Sequence, residues 1–305
     1  MAIACVDWCE ADRGRLGALY AAEIRRWSDV LGWDTASQWD HIELGRRLGT
    51  VSGLCALDEA GAIAGWTFYL RHRDVLQIGG LLAASEDATA ALLGGIFASD
   101  TAARARSVTF FAFTDAPGVT DALTRRGLTV VRYTYMTKPL VAEAHTPSPD
   151  ERPWRADDTS AITRLLAAAY PTADEGRPFA PRGTAEEWQE YVGQIVHASG
   201  CGTIMPDACF VAPHGPGRLA GTILVTRLAA ATAHVAQVAV DPSAERRGVG
   251  RLLMGAACAT AREAGCARMT LLVDDRNTRA RRLYEQAGFV AVAGFVSAGR
   301  VSPSG

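Results

Sequence analysis

Apolar residues recur every three to four positions over residues 10–31, where Leu16, Leu19, Tyr20 and Ile24 share a face that Trp27 continues. This spacing predicts an amphipathic helix, and a second one spans about 35–48. The period then changes to two. LCALDEAGAIAGWTFYL reads as a hairpin turning at Asp58-Glu59-Ala60-Gly61, and VLQIGGLLA as a further strand. SEDATAALLGGIFAS is a helix with Ser85 as its cap, and SVTFFAFTD a strand. LTVVRYTYMTKPL is a strand pair or one long strand. VAEAHTPSPDERP has three prolines and no period, and reads as a linker.

The pattern then repeats. ADDTSAITRLLAAAY is a helix with Ile162, Leu165, Leu166 and Ala169 on one face. A proline-rich loop over 170–183 leads to a helix over 184–199. CFVAPHGPGRLAGTILVTRLA is a hairpin turning at His214-Gly215-Pro216-Gly217. Both halves place a turn, a short apolar step and Ala-Gly at the opening of a strand. Two tandem copies of one unit are expected: residues 1–141, a linker over 142–153, and residues 154–305.

The most informative stretch runs from His234 to Phe289. HVAQVAV is a Val-rich strand that stops at Asp241-Pro242, since proline cannot continue a ladder. Arg246-Arg247-Gly248-Val249-Gly250 then leads into a helix whose apolar face is Val249, Leu252, Leu253, Ala256 and Thr260, ended by Gly265. MTLLV is the next strand. A last helix, capped by Asn277, buries Ala280, Leu283, Tyr284 and Ala287 and stops at Gly288-Phe289.

The glycine turn is where chemistry is expected. Glycines let successive backbone N–H groups converge, and a helix starting there adds free donors and the positive end of its dipole. Such a turn holds a pyrophosphate, and Arg246, Arg247 and Arg251 add positive charge. Other phosphate motifs fail on specific residues. Leu253 stands where a dinucleotide fingerprint needs its third glycine. The single lysine, Lys138, precedes a proline, which excludes a P-loop and argues against a pyridoxal enzyme. HExxH, GxSxG and CxxC motifs are absent.

Composition changes the picture little. A net charge of −2 leaves no nucleic-acid footprint. No apolar run reaches membrane-spanning length and the start is no signal peptide. Seven scattered cysteines read as reduced thiols of a bacterial-type cytoplasm. Five of the seven tryptophans (Trp8, Trp27, Trp33, Trp39 and Trp66) lie in the first copy, to pack its core or line a groove.

The turn resembles motif A of the GNAT superfamily of acyl-CoA-dependent N-acyltransferases, and Asn277 through Leu283-Tyr284-Glu285 to Gly288-Phe289 resembles its motif B. The resemblance implies an α/β fold of two tandem GNAT-like domains, each a mixed, mostly antiparallel sheet flanked by helices. It implies acetyl-CoA, or another acyl-CoA, as co-substrate. The acceptor is an amine-bearing small molecule or peptide, and the attack is direct, within a ternary complex. No metal is called for. Glu245 replaces the family's Gln or Arg at the head of the turn, which implies weaker CoA binding. In the family the strand before the turn splays at a bulge, so a backbone N–H at Val238 or its neighbour would meet the acyl carbonyl. Val238, Ala239, Val240, Arg246, Arg247, Gly248, Val249, Gly250, Arg251, Asn277 and Tyr284 form the expected CoA site. Tyr284 matches the tyrosine that protonates the leaving thiolate. His234 is the candidate base, with a structural histidine as the alternative, and Gln237 could orient substrate or water.

The first copy has Ser85-Glu86-Asp87 where the second has its glycine turn, and its last helix is truncated. It is expected to be degenerate. Asp174, Glu175, Glu186 and Glu187 could draw a cationic amine or be exposed loop acids. Arg276, Arg279, Arg281 and Arg282 read as a solvated helix face. The alternatives to metabolite acylation are acylation of a peptide or protein amine and a non-catalytic acyl-CoA sensor.

Overall fold

The computed structural model describes residues 3–113, 116–142, 145, 147–197 and 201–301. The first half contains β1 (Ala4–Asp7), α1 (Arg13–Arg26), α2 (Ala36–Leu48), β2 (Ser52–Leu57), β3 (Ile63–His72), β4 (Val75–Ala83), α3 (Glu86–Ala98), α4 (Asp100–Ala103), β5 (Ser107–Phe113), α5 (Val119–Thr124) and β6 (Thr129–Pro139). The second contains β7 (Arg152–Pro153), α6 (Thr159–Ala169), α7 (Ala185–His197), β8 (Thr203–Ile204), β9 (Phe210–Pro213), β10 (Leu219–Ala229), β11 (Thr232–Val240), α8 (Val249–Glu263), β12 (Arg268–Asp274), α9 (Thr278–Gln286) and β13 (Val290–Val301). Parts of the expected linker and the end of the helix over 184–199 lie outside the described residues. LTVVRYTYMTKPL is one long strand, β6.

Among the described residues the strands form one continuous sheet, ordered β1-β2-β3-β4-β5-β13-β6-β12-β11-β10-β9-β7, with β8 on β10. It is mostly antiparallel, with parallel pairs at β4–β5 and β11–β12. The two halves exchange their last strands. β6 of the first half pairs with β12, and β13, the end of the chain, enters between β5 and β6. No element was expected after Phe289, so β13 is an addition to the sequence reading.

The repeat shows at equivalent irregularities. In β4, Gly80 and Ile78 face Phe68 and Tyr69, so Gly79 is an extra residue. In β11, Gln237 and Val235 face Leu224 and Val225, so Ala236 is the extra residue. Each bulge bends its strand away from the parallel neighbour. Pairing to that neighbour stops at Ile78↔Phe110 in one half and at Val235↔Leu271 in the other. Both halves therefore open a V beyond the bulge.

Each half has its own core, and a third cluster of Leu31, Trp33, Val131, Tyr133, Tyr135, Leu228 and Phe295 joins them. The Tyr135 hydroxyl donates to the Leu31 carbonyl at 3.0 Å, which satisfies a buried polar group at the junction. α1 runs into a π-helical turn, Trp27–Leu31, that ends at Gly32 with φ 65°. A Cβ on Gly32 would lie 2.9 Å from Thr232 Oγ1, so this turn requires glycine for its backbone and for its approach to the second half. Trp8, Trp33, Trp39 and Trp66 are core residues. Trp27, Trp33 and Trp39 also line an apolar cavity of about 230 Å³ in the first half.

Candidate active site

In the second half, the V between β11 and β12 continues into a cleft of about 570 Å³. One wall is β11 beyond its bulge, Val238 to Val240. The floor is the turn and the start of α8, and the other wall is α9. Arg246 has φ 61° and Gly248 φ 83°. Left-handed residues on either side of Arg247 curl the backbone into a concave turn, as the glycine pattern predicts. No side chain caps α8 and no acid sits in its first turn, so its N–H donors and dipole face the cleft uncompensated. At Gly250 a Cβ would lie 3.3 Å from Leu283 Cδ2, which keeps this floor tight.

The equivalent helix of the first half differs chemically. Ser85 caps α3 by accepting from the Ala88 N–H at 3.2 Å, and Glu86 and Asp87 occupy its first turn. The Phe68 ring also covers its bulge, 2.1 Å from where a Cβ on Gly79 would stand.

The cleft brings together Val238, Ala239, Val240, Arg246, Gly248, Val249, Gly250, Arg251, Asn277 and Tyr284. Arg247 is exposed and is not part of its lining. Asn277 Oδ1 caps α9, accepting from the Ala280 N–H at 3.0 Å. Of the expected α9 stripe only Tyr284 is fully buried; Ala280, Leu283 and Ala287 pack against the core but stay half-buried, and Ala280 and Leu283 also line the open cleft. The α8 stripe is rotated: Met254, Ala257, Cys258 and Ala261 are buried with Leu253 and Ala256, whereas Leu252 and Thr260 are half-buried.

The expected base does not reach the cleft. His234 is 2% exposed and packs at the junction of the halves. Its ring stacks with those of Trp33 and Tyr135, at 6.3 and 5.9 Å between centroids. Nδ1 lies 2.9 Å from Thr270 Oγ1. Burial pushes its pKa down to about 4. The physical reason is position along β11. His234 precedes the bulge, where β11 is still paired to β12, and the cleft opens only after it.

Two tyrosines occupy the cleft instead. Tyr284 is buried, its ring edge-on to Phe289, and burial raises its hydroxyl above the usual phenol value, with Tyr170 adding to the shift. Tyr170, at the end of α6, also lines the cleft. Its oxygen accepts from Gln237 Nε2 at 3.2 Å, and Gln237 Oε1 accepts from the Tyr191 hydroxyl at 3.1 Å. Burial raises the Tyr170 pKa against the lowering effect of Gln237. With its oxygen held by an N–H, Tyr170 is oriented as a donor. Sequence reading missed it because a tyrosine ending a helix gives no signal without its tertiary neighbours. The roof is an aromatic cluster. Arg177 lies 5.0 Å from the Trp188 ring and 5.7 Å from the Tyr170 ring, and Phe179 stacks on Tyr191 at 4.4 Å.

The charges around the mouth are mostly paired. Glu245 pairs with Arg279 on α9. Arg276 binds Asp174 at 2.5 Å and Asp274 at 2.6 Å, and Arg281 binds Glu285 at 3.1 Å. Arg276 and Arg279 thus tie this face to other elements, whereas Arg281 pairs within α9 and Arg282 is exposed, as expected of a solvated face. Glu187 holds Arg182 at 2.9 Å.

Residues 160–289 match the model of the Acetyltransferase (GNAT) family. A mycothiol acetyltransferase of Propionibacterium freudenreichii subsp. shermanii is 28% identical over 198 residues, which is 60% of this chain and 58% of that protein. The chain thus spans somewhat more than half the length of this relative. Among solved structures, a GCN5-related N-acetyltransferase from Sphaerobacter thermophilus superposes with a TM-score of 0.57 at 18% identity, covering 83% of this chain and 81% of that one. A tandem GNAT protein from the clavulanic acid biosynthesis pathway covers 100% of both chains with a TM-score of 0.55 at 14% identity. These two likenesses concern the fold. The cleft, turn and strand bulge lie within residues 160–289, the stretch that matches the GNAT family, and the chain as a whole has the fold of tandem GNAT proteins.

Proposed function

We propose that this chain transfers an acyl group, acetyl in the first instance, from CoA to a primary amine. The observation that carries this reading is the cleft itself. A left-handed turn and an uncapped helix N-terminus lie at one end, and the buried Tyr284 hydroxyl lies along the other wall. The turn and the first-turn N–H groups of α8 suit the pyrophosphate. Arg246, Arg251 and Arg282 face the same space and suit the remaining phosphate charge. The free edge of β11 at Val238 to Val240 offers N–H and C=O groups for the pantetheine amides and the thioester carbonyl. Donors aimed at that carbonyl stabilise the oxyanion that forms on attack. Tyr284 supplies the proton that the leaving thiolate needs. Acetyl as the transferred group is supported by the name of the relative from Propionibacterium.

A second reading, a non-catalytic acyl-CoA sensor, draws on one observation: His234 is not at the cleft. Thiol release from acetyl-CoA with a panel of amines separates the two. Transfer that falls in Tyr284→Phe while acetyl-CoA binding persists supports the enzyme. Tight acetyl-CoA binding with no transfer to any amine supports the sensor.

A further inference from the structure

An amine attacking a thioester must be neutral, and in water most primary amines are not. The cleft holds few groups that could take the extra proton. Among the described residues, its titratable lining consists of Tyr170, Tyr284, Glu245 and arginines. Arginines do not act as bases. Glu245 is held by Arg279 in the first turn of α9, and Tyr284 lies five residues further along, about 7.5 Å of helix rise. Most described acids of the roof and of the β12 end are engaged too, and Glu186 is exposed outside the cleft lining. Asp174 and Asp274 bind Arg276, Glu187 binds Arg182, Glu190 lies 3.7 Å from Arg73, and Glu175 reaches Thr129. His234 is sealed behind Trp33 and Tyr135. Tyr170 has its oxygen occupied by Gln237, so it donates.

We infer that the acceptor enters this cleft already as its free base and is therefore a weakly basic primary amine, such as an α-amino group, rather than an alkylamine of the lysine side-chain kind. This rests on the acyl-transfer reading above.

The proton balance then closes without an enzyme base. The amine nitrogen bonds to the thioester carbon, and the carbon–sulfur bond breaks. The nitrogen, now carrying one proton too many, gives it up. Tyr284 hands its own proton to the thiolate and regains one from the nitrogen, directly or through water. Neutral amine and acetyl-CoA become amide and CoA thiol, with no proton left over. An ammonium would bring a second proton, and two hydroxyl donors with raised pKa values have no place for it. The selection is large in population terms. At pH 7 an α-amino group of pKa about 7.8 is neutral roughly 300 times more often than a lysine side chain of pKa about 10.4.

The test is steady-state thiol release by the full chain with primary amines whose pKa values run from about 7.7 to 10.4, including dipeptide α-amines and Nα-blocked lysine. The expected result is turnover at pH 7 concentrated in the weakly basic amines. The acidic limb of kcat/KM should move with the amine's own pKa, by about 2.7 units across the panel. It should be unchanged in His234→Gln. A limb that stays at one pH for every amine, or pH 7 turnover confined to the lysine-type amine, would overturn the inference while leaving acyl transfer intact. Acetyl-CoA binding without transfer to any amine would overturn both.

Discussion

Glu245 and Arg279 form an ion pair across the mouth of the cleft, joining the turn before α8 to the first turn of α9. By resemblance alone, Glu245 is a departure at the head of the turn that weakens CoA binding. The structure gives it a partner, and occupies with it an arginine that could otherwise face those phosphates. Glu245→Gln should therefore tighten acetyl-CoA binding several-fold. Arg279→Ala should weaken it about tenfold, because the carboxylate is then uncompensated near a dianion. Calorimetric titration at low and moderate salt checks both signs. Equal affinities for the two variants would show that this pair has no part in CoA binding.

Gly250→Val should lower acetyl-CoA affinity at least tenfold with little loss of thermal stability. A Cβ there already comes within 3.3 Å of Leu283 and 3.6 Å of Val240, and two more methyl groups would project into the cleft floor. Unchanged affinity in a folded variant would move the pyrophosphate elsewhere.

Tyr284→Phe should reduce kcat by roughly 10–100-fold and leave the acetyl-CoA Kd nearly unaltered, since a proton donor is removed and the ring is kept. A parallel loss of binding would instead make Tyr284 a packing residue, consistent with its contact to Phe289.

One acetyl-CoA should bind per chain. The start of α3 is already stabilised by Ser85, Glu86 and Asp87, and two carboxylates near a pyrophosphate would each cost about 1 kcal/mol or more. The full chain is the proper sample, because the exchange of β6 and β13 leaves neither half with its own last strand. Two sites of similar affinity in a titration would contradict the asymmetry between the halves.

His234 makes stability depend on acid. Its pKa is about 4 in the folded chain, against an ordinary value near 6.5 when unfolded. Between these values the unfolded chain binds a proton that the folded one refuses, so stability falls as pH drops from about 6.5 to about 4. The expected loss is about 3 kcal/mol across that window. His234→Gln should flatten this part of the denaturation profile relative to the wild type. Parallel profiles would remove His234 as the source.

The sequence by itself determined most of the elements, though not β13, and the chemistry that depends on consecutive residues. Gly248 and Gly250 between arginines, followed by an apolar face, specify a turn and a helix start whatever surrounds them, because backbone conformation there is a local property. The Ser85 and Asn277 caps were legible for the same reason: the partner N–H lies three residues away. What the tertiary structure decided depends on residues far apart in the chain. The exchange of β6 and β13 is a choice among strand partners that alternation cannot rank. The burial of His234 follows from Trp33 and Tyr135, about 200 and 100 positions earlier in the chain. Tyr170 became a site residue only when Gln237, 67 positions later, reached its oxygen. A pattern of apolar spacing records which face of an element is buried. It carries no record of what lies against that face, and here the identity of that neighbour separates a base from a buried ring.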